Sequence, residues 1–203
     1  MEEKIILFDI DDTLVDTHPM AKSFYQKIAN TIGVSLEEIV EAKEKYKTTL
    51  EKYSDYHPNE LMEFIHKVFK IDENKKTNPF VEEKHYRESL FPETRNVLEK
   101  LSKKYRLGIF SEGFEDYQSN KISALTDLLD KNLIFILRRK IEESSLNKLP
   151  KGSIIIDDRI EVVEKLRDFG GFQVFWLNRK NDHKKIAGVK TINSLSELIT
   201  IFS

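Results

Sequence analysis

The chain has no cysteine. That excludes disulfides, thiolate metal sites and a cysteine nucleophile, and it removes any sign of an oxidising compartment, so a cytoplasmic location is the expectation. Long apolar runs are lacking too. None approaches the ~20 residues needed to cross a bilayer, and the acidic N-terminus, with a short apolar run ending before Asp9, is unlike a signal peptide. Nor is there an excess of one charge. The 33 Lys and Arg nearly cancel the 35 Asp and Glu, leaving a net charge of -2, which argues against nucleic acid or an anionic membrane as partner. Any anion binding must be local. Repeats, low-complexity tracts and linkers are also missing.

What is present is a series of short apolar runs: Ile5 to Phe8, Leu107 to Phe110, Leu133 to Leu137, Ile154 to Ile156 and Phe172 to Leu177. Such runs read as strands buried on both faces, as in a parallel sheet. Between them, apolar residues at helical spacing (Val97, Leu98 and Leu101; Val162, Val163 and Leu166) alternate with charges. Strand alternating with helix predicts a doubly wound α/β domain. Residues 17–90 depart from this pattern, with heavy Lys and Glu content around Ile28, Ile32, Leu36, Ile39, Leu61, Phe64, Ile65 and Phe69. They read as a helical insertion, leaving 1–16 and 91–203 as the core. Ser35 and Glu38 fit a capping box, as do Ser194 and Glu197, which predicts that the last helix starts at Ser194. Pro92 suits the first turn of the helix that returns the chain to the sheet.

Ligands of a parallel sheet bind beyond the carboxyl ends of its strands. Asp9 and Asp11 follow the first apolar run, Ser111 the second, Arg138 to Lys140 the third, and Asp157 with Asp158 the fourth. Carboxylates gathered on one rim repel, and one is driven neutral unless a cation intervenes. Mg²⁺ resolves this, because it accepts one or two carboxylates together with water and phosphate oxygens. Taken singly, Ser111 or the Asp157-Asp158 pair would read as a helix cap, and Asp12 and Asp16 as turn residues. His18 reads as surface and Trp176 as core. Tyr46, Tyr53, Tyr56 and His57 are open to two readings, as pocket lining or as packing.

Phe8-Asp9-Ile10-Asp11-Asp12-Thr13-Leu14 resembles the first motif of the haloacid dehalogenase-like (HAD) superfamily. Ile109-Phe110-Ser111-Glu112-Gly113 resembles its second motif, Ile154-Ile155-Ile156-Asp157-Asp158-Arg159 its fourth, and the insertion its C1-type cap. The resemblance covers essentially the whole chain. It implies a Mg²⁺-dependent phosphatase acting on a small phosphorylated metabolite through an aspartyl-phosphate. Asp9 would be the nucleophile and Asp11 the acid and base. Ser111 and a lysine would hold phosphoryl oxygens, and Asp9, the Asp11 carbonyl, Asp157 and Asp158 would serve the metal. A phosphomutase would retain the same residues, and a silent binding module would keep the fold with a broken catalytic set. The family's dehalogenases lack the second aspartate.

For the lysine, Lys140, Lys148 and Lys151 all precede the fourth run. Lys140 follows the third run at the crevice edge, whereas Lys148 and Lys151 enter the fourth strand at the opposite edge, a strand's length of roughly 16 Å away. Geometry selects Lys140, with Arg139 as the weaker candidate. The family's usual Lys-Pro pair is absent. Two further departures are Glu112, whose charge is unwelcome beside a phosphate unless it points outward, and Glu161, which stands where an Asp often follows the fourth motif and is expected as its outer-shell substitute.

Overall fold

Apolar side chains on alternate faces of a strand need cover on both sides, and the chain supplies it by following most strands with a helix. The computed structural model describes residues 4–203. After β1 (Ile5–Phe8) come α1 (Thr17–Ile32), α2 (Leu36–Lys47), α3 (Pro58–Val68) and α4 (Glu83–Arg87). Next are α5 (Thr94–Leu101), β2 (Arg106–Glu112), α6 (Glu115–Lys121), β3 (Ile134–Leu137) and α7 (Glu143–Leu146). β4 (Ile154–Asp157), α8 (Ile160–Phe169), β5 (Gln173–Leu177), β6 (Lys190–Ile192) and α9 (Glu197–Ile201) complete the chain.

The six strands form one parallel sheet in the order β3-β2-β1-β4-β5-β6. The fold is therefore the expected doubly wound α/β core with a helical insertion. Alternation divides its interior. Ile6, Phe8, Ile109 and Ile156 join one apolar cluster that continues into the insertion through Met20, Phe24 and Ile28. Leu7, Phe110, Ile155 and Trp176 join the other, closed by Val162, Val163 and Leu166 of α8. Each of those α8 side chains is buried, which stabilises the fold by about 1.5–3 kcal/mol apiece. Gly108 is required in the middle of β2, because a Cβ there would lie 2.3 Å from the Leu133 carbonyl oxygen.

Chain direction along the sheet reverses at β1, whose neighbours are β2 and β4, so the crevice of such a sheet opens beyond these carboxyl ends. The insertion leaves and returns beside that crevice. Val15 bridges Leu90 in antiparallel fashion, and the Asp16 N–H donates to the Ser89 carbonyl at 2.8 Å. Between α1 and α2 the predicted capping box is present: the Glu38 N–H donates to Ser35 Oγ and the Ser35 N–H to the Glu38 carboxylate. None of the described helices is long and apolar enough to cross a membrane.

Three details differ from the sequence reading. β6 has no apolar run to announce it, being a three-residue edge strand that begins with Lys190. The last helix begins at Glu197 rather than Ser194. There the Glu197 carboxylate does accept from the Ser194 N–H, as a capping box requires, but Ser194 Oγ accepts from Ser196, and the intervening residues form a turn. Pro92 lies in the turn ahead of α5, whose first residue is Thr94.

Candidate active site

Register sets the level of each acid. Phe8 of β1 is paired with Ile156 of β4, so the next residues, Asp9 and Asp157, stand side by side, tied by the Asp9 N–H donating to the Ile156 carbonyl at 2.9 Å. Asp158 follows immediately, and its carbonyl accepts from the Trp176 indole at 2.9 Å. Carboxylate oxygens of Asp9, Asp157 and Asp158 all lie within 4.8 Å of one another. Ser111 is inside β2, one residue before its end, with its Oγ buried.

Lys140 approaches from the loop after β3. Fully buried, it places Nζ 2.6 Å from Asp9 Oδ1, in contact with Asp157 Oδ2 and 4.8 Å from the Phe110 ring centre. Arg139 turns the other way, to Ser54 and Asp55 of the insertion. Lys151 lies over the rings of Phe169 and Phe172, away from the acids.

Asp11 is held from α6. Lys121 Nζ lies 2.5 Å from Asp11 Oδ1, and Gln118 Nε2 donates to Asp11 Oδ2 at 2.9 Å and to the Glu112 carbonyl at 2.7 Å. Sequence reasoning missed both residues. Their signal was three-residue spacing on a short helix directly after the second motif. Gly113 admits Gln118: its φ is +142°, and a Cβ there would lie 2.9 Å from Gln118 Nε2. Asp12 takes a left-handed conformation, φ 54°, and its carboxylate accepts from the Thr17 backbone and hydroxyl. It is a turn residue, and Arg179 clamps the same turn by donating to the Asp12 and Thr13 carbonyls.

Glu112 has both carboxylate oxygens engaged by neighbours. Its Oε2 accepts from Arg159 at 2.8 Å and its Oε1 from the Lys140 N–H at 3.1 Å. Glu161 lines the same cavity as Asp9 and Asp158, and its carboxylate accepts from Arg159 Nε at 2.7 Å.

These residues open onto a cavity of about 660 Å³. Its lining includes Asp9, Asp11, Ser111 and Asp158 together with His18, Lys43, Lys47, Tyr25, Tyr53, Tyr56 and Tyr117. Two of the tyrosine and histidine candidates lie elsewhere: Tyr46 packs in the core and bonds Glu60, and His57 pairs with Asp116. His18 is exposed, as read, at a point on the lining.

The electrostatics ask for a cation. Burial, reinforced by Asp157 and Asp11 and opposed by Lys140, pushes Asp9 up to about 7. Burial, with the charges of Asp9 and Asp157, pushes Asp158 up to about 8. Lys140 is pulled down by burial but held above its ordinary value by Asp157 and Asp9. Asp158 Oδ1 and Ser111 Oγ are buried without hydrogen-bond partners. An all-oxygen donor set with an orphaned carboxylate oxygen and excess negative charge fits a hard divalent cation such as Mg²⁺.

The family profile of haloacid dehalogenase-like hydrolases matches residues 3–151. The chain belongs to this family. Solved structures share the HAD-like fold over nearly the full length. A HAD phosphatase from Thermococcus onnurineus is 22% identical, with 98% of each chain covered and a TM-score of 0.65. The putative HAD-hydrolase YfnB from Bacillus subtilis, bound to magnesium, is 17% identical, with 100% of each chain covered and a TM-score of 0.62. L-2-haloacid dehalogenase from Xanthobacter autotrophicus is 13% identical over 98% of each chain, with a TM-score of 0.59. Among curated protein sequences none matches. At these identities the HAD-like neighbours speak to fold, and they span two chemistries.

Proposed function

We propose that this HAD-like hydrolase is a Mg²⁺-dependent phosphatase that cleaves a small phosphorylated metabolite through an aspartyl-phosphate on Asp9. The observation that carries the reading is the Asp9, Asp157 and Asp158 cluster at the switch point of the sheet. Displacement of halide from carbon puts no charge on oxygens of the reacting centre for a cation to offset, whereas phosphoryl transfer does. Asp11 adds to it, because a departing alkoxide needs a proton and a departing halide does not.

Asp9, Asp157 and Asp158, with the Asp11 carbonyl, would hold Mg²⁺. Bound there, it would keep Asp9 ionised and offset charge on the phosphoryl oxygens. Asp9 attacks phosphorus as the bond to the leaving oxygen breaks, and Asp11 delivers its proton to that oxygen. Asp11, now anionic, takes a proton from water as that water attacks the same phosphorus. The bond to Asp9 breaks and inorganic phosphate departs. Lys140 faces the phosphoryl oxygens, and Ser111 Oγ donates to one of them. Lys121 and Gln118 fix the rotamer from which Asp11 acts.

Phosphate release from a panel of phosphomonoesters, with Mg²⁺ and with EDTA, tests the reading. Release that needs Mg²⁺ and is lost in Asp157→Ala is expected. Undiminished release in EDTA refutes it, and so does halide release from 2-chloropropionate without any phosphatase activity. An isomerised phosphate ester in place of inorganic phosphate would mark a mutase instead.

A further inference from the structure

Lys43 and Lys47 of α2 are one helical turn apart on its half-buried side, whereas Lys45 between them is exposed. Both line the cavity that has Asp9 and Ser111 in its wall. They share a single acid, with Nζ 2.6 Å and 3.3 Å from Glu44 Oε1 respectively. Two cations against one carboxylate leave a surplus positive charge on the wall contributed by α2. That surplus is opposite in sign to the aspartate cluster, and nothing in the phosphoryl-transfer steps uses it.

The surrounding groups are donors as well. Lys43 Nζ lies 5.5 Å from the Tyr25 ring centre and Lys47 Nζ 5.2 Å from that of Tyr53. A ligand ring stacking on those faces would have to displace an ammonium, whereas an anion has only to approach it. The Tyr25 and Tyr56 hydroxyls are 3.5 Å apart, and burial raises both phenols, so each keeps its proton for donation. A cavity of about 660 Å³ is roomy enough for a ligand that reaches from Asp9 to this wall.

We propose that Lys43 and Lys47, with Tyr25 and Tyr56, form a second anion subsite, and that the substrate is a phosphomonoester bearing a second anionic group, a carboxylate or a phosphate, on a small body. The assignment of the first anion rests on the phosphatase reading. That of the second rests on α2 alone.

Butyl phosphate, 4-(phosphonooxy)butanoate and butane-1,4-diyl bisphosphate share one phosphoryl group and one chain length and differ at the far end: methyl, carboxylate or phosphate. Calorimetric titration of the Asp9→Asn protein with Mg²⁺ present should find at least one anionic end bound about tenfold or more tighter than the methyl end. Whichever end wins identifies the second group. Adding Lys43→Gln and Lys47→Gln should bring the three affinities together, while Glu44→Gln, which frees both ammoniums, should widen the gap. Should the double variant unfold, each single lysine substitution should still narrow it. Equal affinities in the Asp9→Asn protein, no binding of any of the three, or a preference indifferent to the lysines would overturn the proposal. Hydrolysis of p-nitrophenyl phosphate by the unaltered enzyme, which needs no second anion, reports separately on the phosphatase reading.

Discussion

Replacing Lys140 by methionine keeps most of the side-chain volume and removes the charge, so its effect isolates the ammonium. In the folded protein that ammonium touches Asp9 and Asp157, and all three side chains are buried. Breaking a buried ion pair by deleting one partner costs about 3–5 kcal/mol, because the other charge stays desolvated and unpaired. With metal chelated at pH 8, Lys140→Met should therefore lose about 3–5 kcal/mol in urea unfolding. At pH 5 the loss should shrink, since Asp9, already raised to about 7 with Lys140 in place, takes up a proton more readily without it. Mg²⁺ at 100 times its dissociation constant should return about 2.7 kcal/mol through mass action. Stability regained in this way should not bring back turnover. Loss of one preorganised electrostatic donor costs roughly 10² to 10³ in kcat. A variant as stable as the parent at pH 8 in EDTA, or one whose kcat stays within about threefold, would refute the reasoning from which both effects follow.

The pH dependence of the metal-free protein follows from the same acids. Asp9 at about 7 and Asp158 at about 8 hold protons that the unfolded chain, at 3.8, releases. Their contribution to stability is thus fully present below the unfolded value and is lost as pH rises through 7 to 8. Melting in EDTA should fall over that range and flatten with Mg²⁺; a rise with pH would contradict it. Asp11→Asn should slow hydrolysis of alkyl phosphates by roughly 10² to 10⁴ and that of p-nitrophenyl phosphate by less, its leaving group needing little protonation. Equal losses would remove Asp11 from the acid's role. Gly113→Ala places a methyl against Gln118 at a φ of +142°. Denaturant titration should show a loss of about 1–3 kcal/mol, and kcat should fall with it as Asp11 loses one of its two tethers. Unchanged kcat would mean Gln118 does not position Asp11.

What was legible in the sequence was local. β1, β2, β4 and β5 announce themselves because a strand buried on both faces must be largely apolar, β3 shows as an apolar run although it is a half-buried edge strand, and the acids that end β1 and β4 are fixed in space once the strands are. Lys140 could be selected over Lys148 and Lys151 from strand direction alone. β6 could not be read, because three residues at a sheet edge carry too little pattern. The start of α9 was missed since the Glu197 carboxylate satisfies the backbone of Ser194 whether the residues between are helix or turn. Lys121 and Gln118 reach Asp11 across 110 and 107 positions. On a seven-residue helix rich in polar residues they read as a solvated face. Tyr46 and His57 share helical spacing with Tyr53 and Tyr56, and only the packing of α2 on α3 decides which of the four meet the cavity.

The charges at the site explain how Glu112 fits. Its carboxylate is bound to Arg159 and to the Lys140 N–H, so both of its oxygens are already engaged, and it braces the loop that delivers Lys140. Three acids then remain around the metal position, Asp9, Asp157 and Asp158, facing one buried ammonium, Lys140. The surplus is two negative charges, the complement of one divalent cation. With that cation in place the cluster is near neutral, and an entering phosphate meets the metal, the Lys140 ammonium and the Ser111 hydroxyl rather than a wall of carboxylates. The α2 lysines stand outside this balance, which is why their surplus charge is free to act on another part of the substrate.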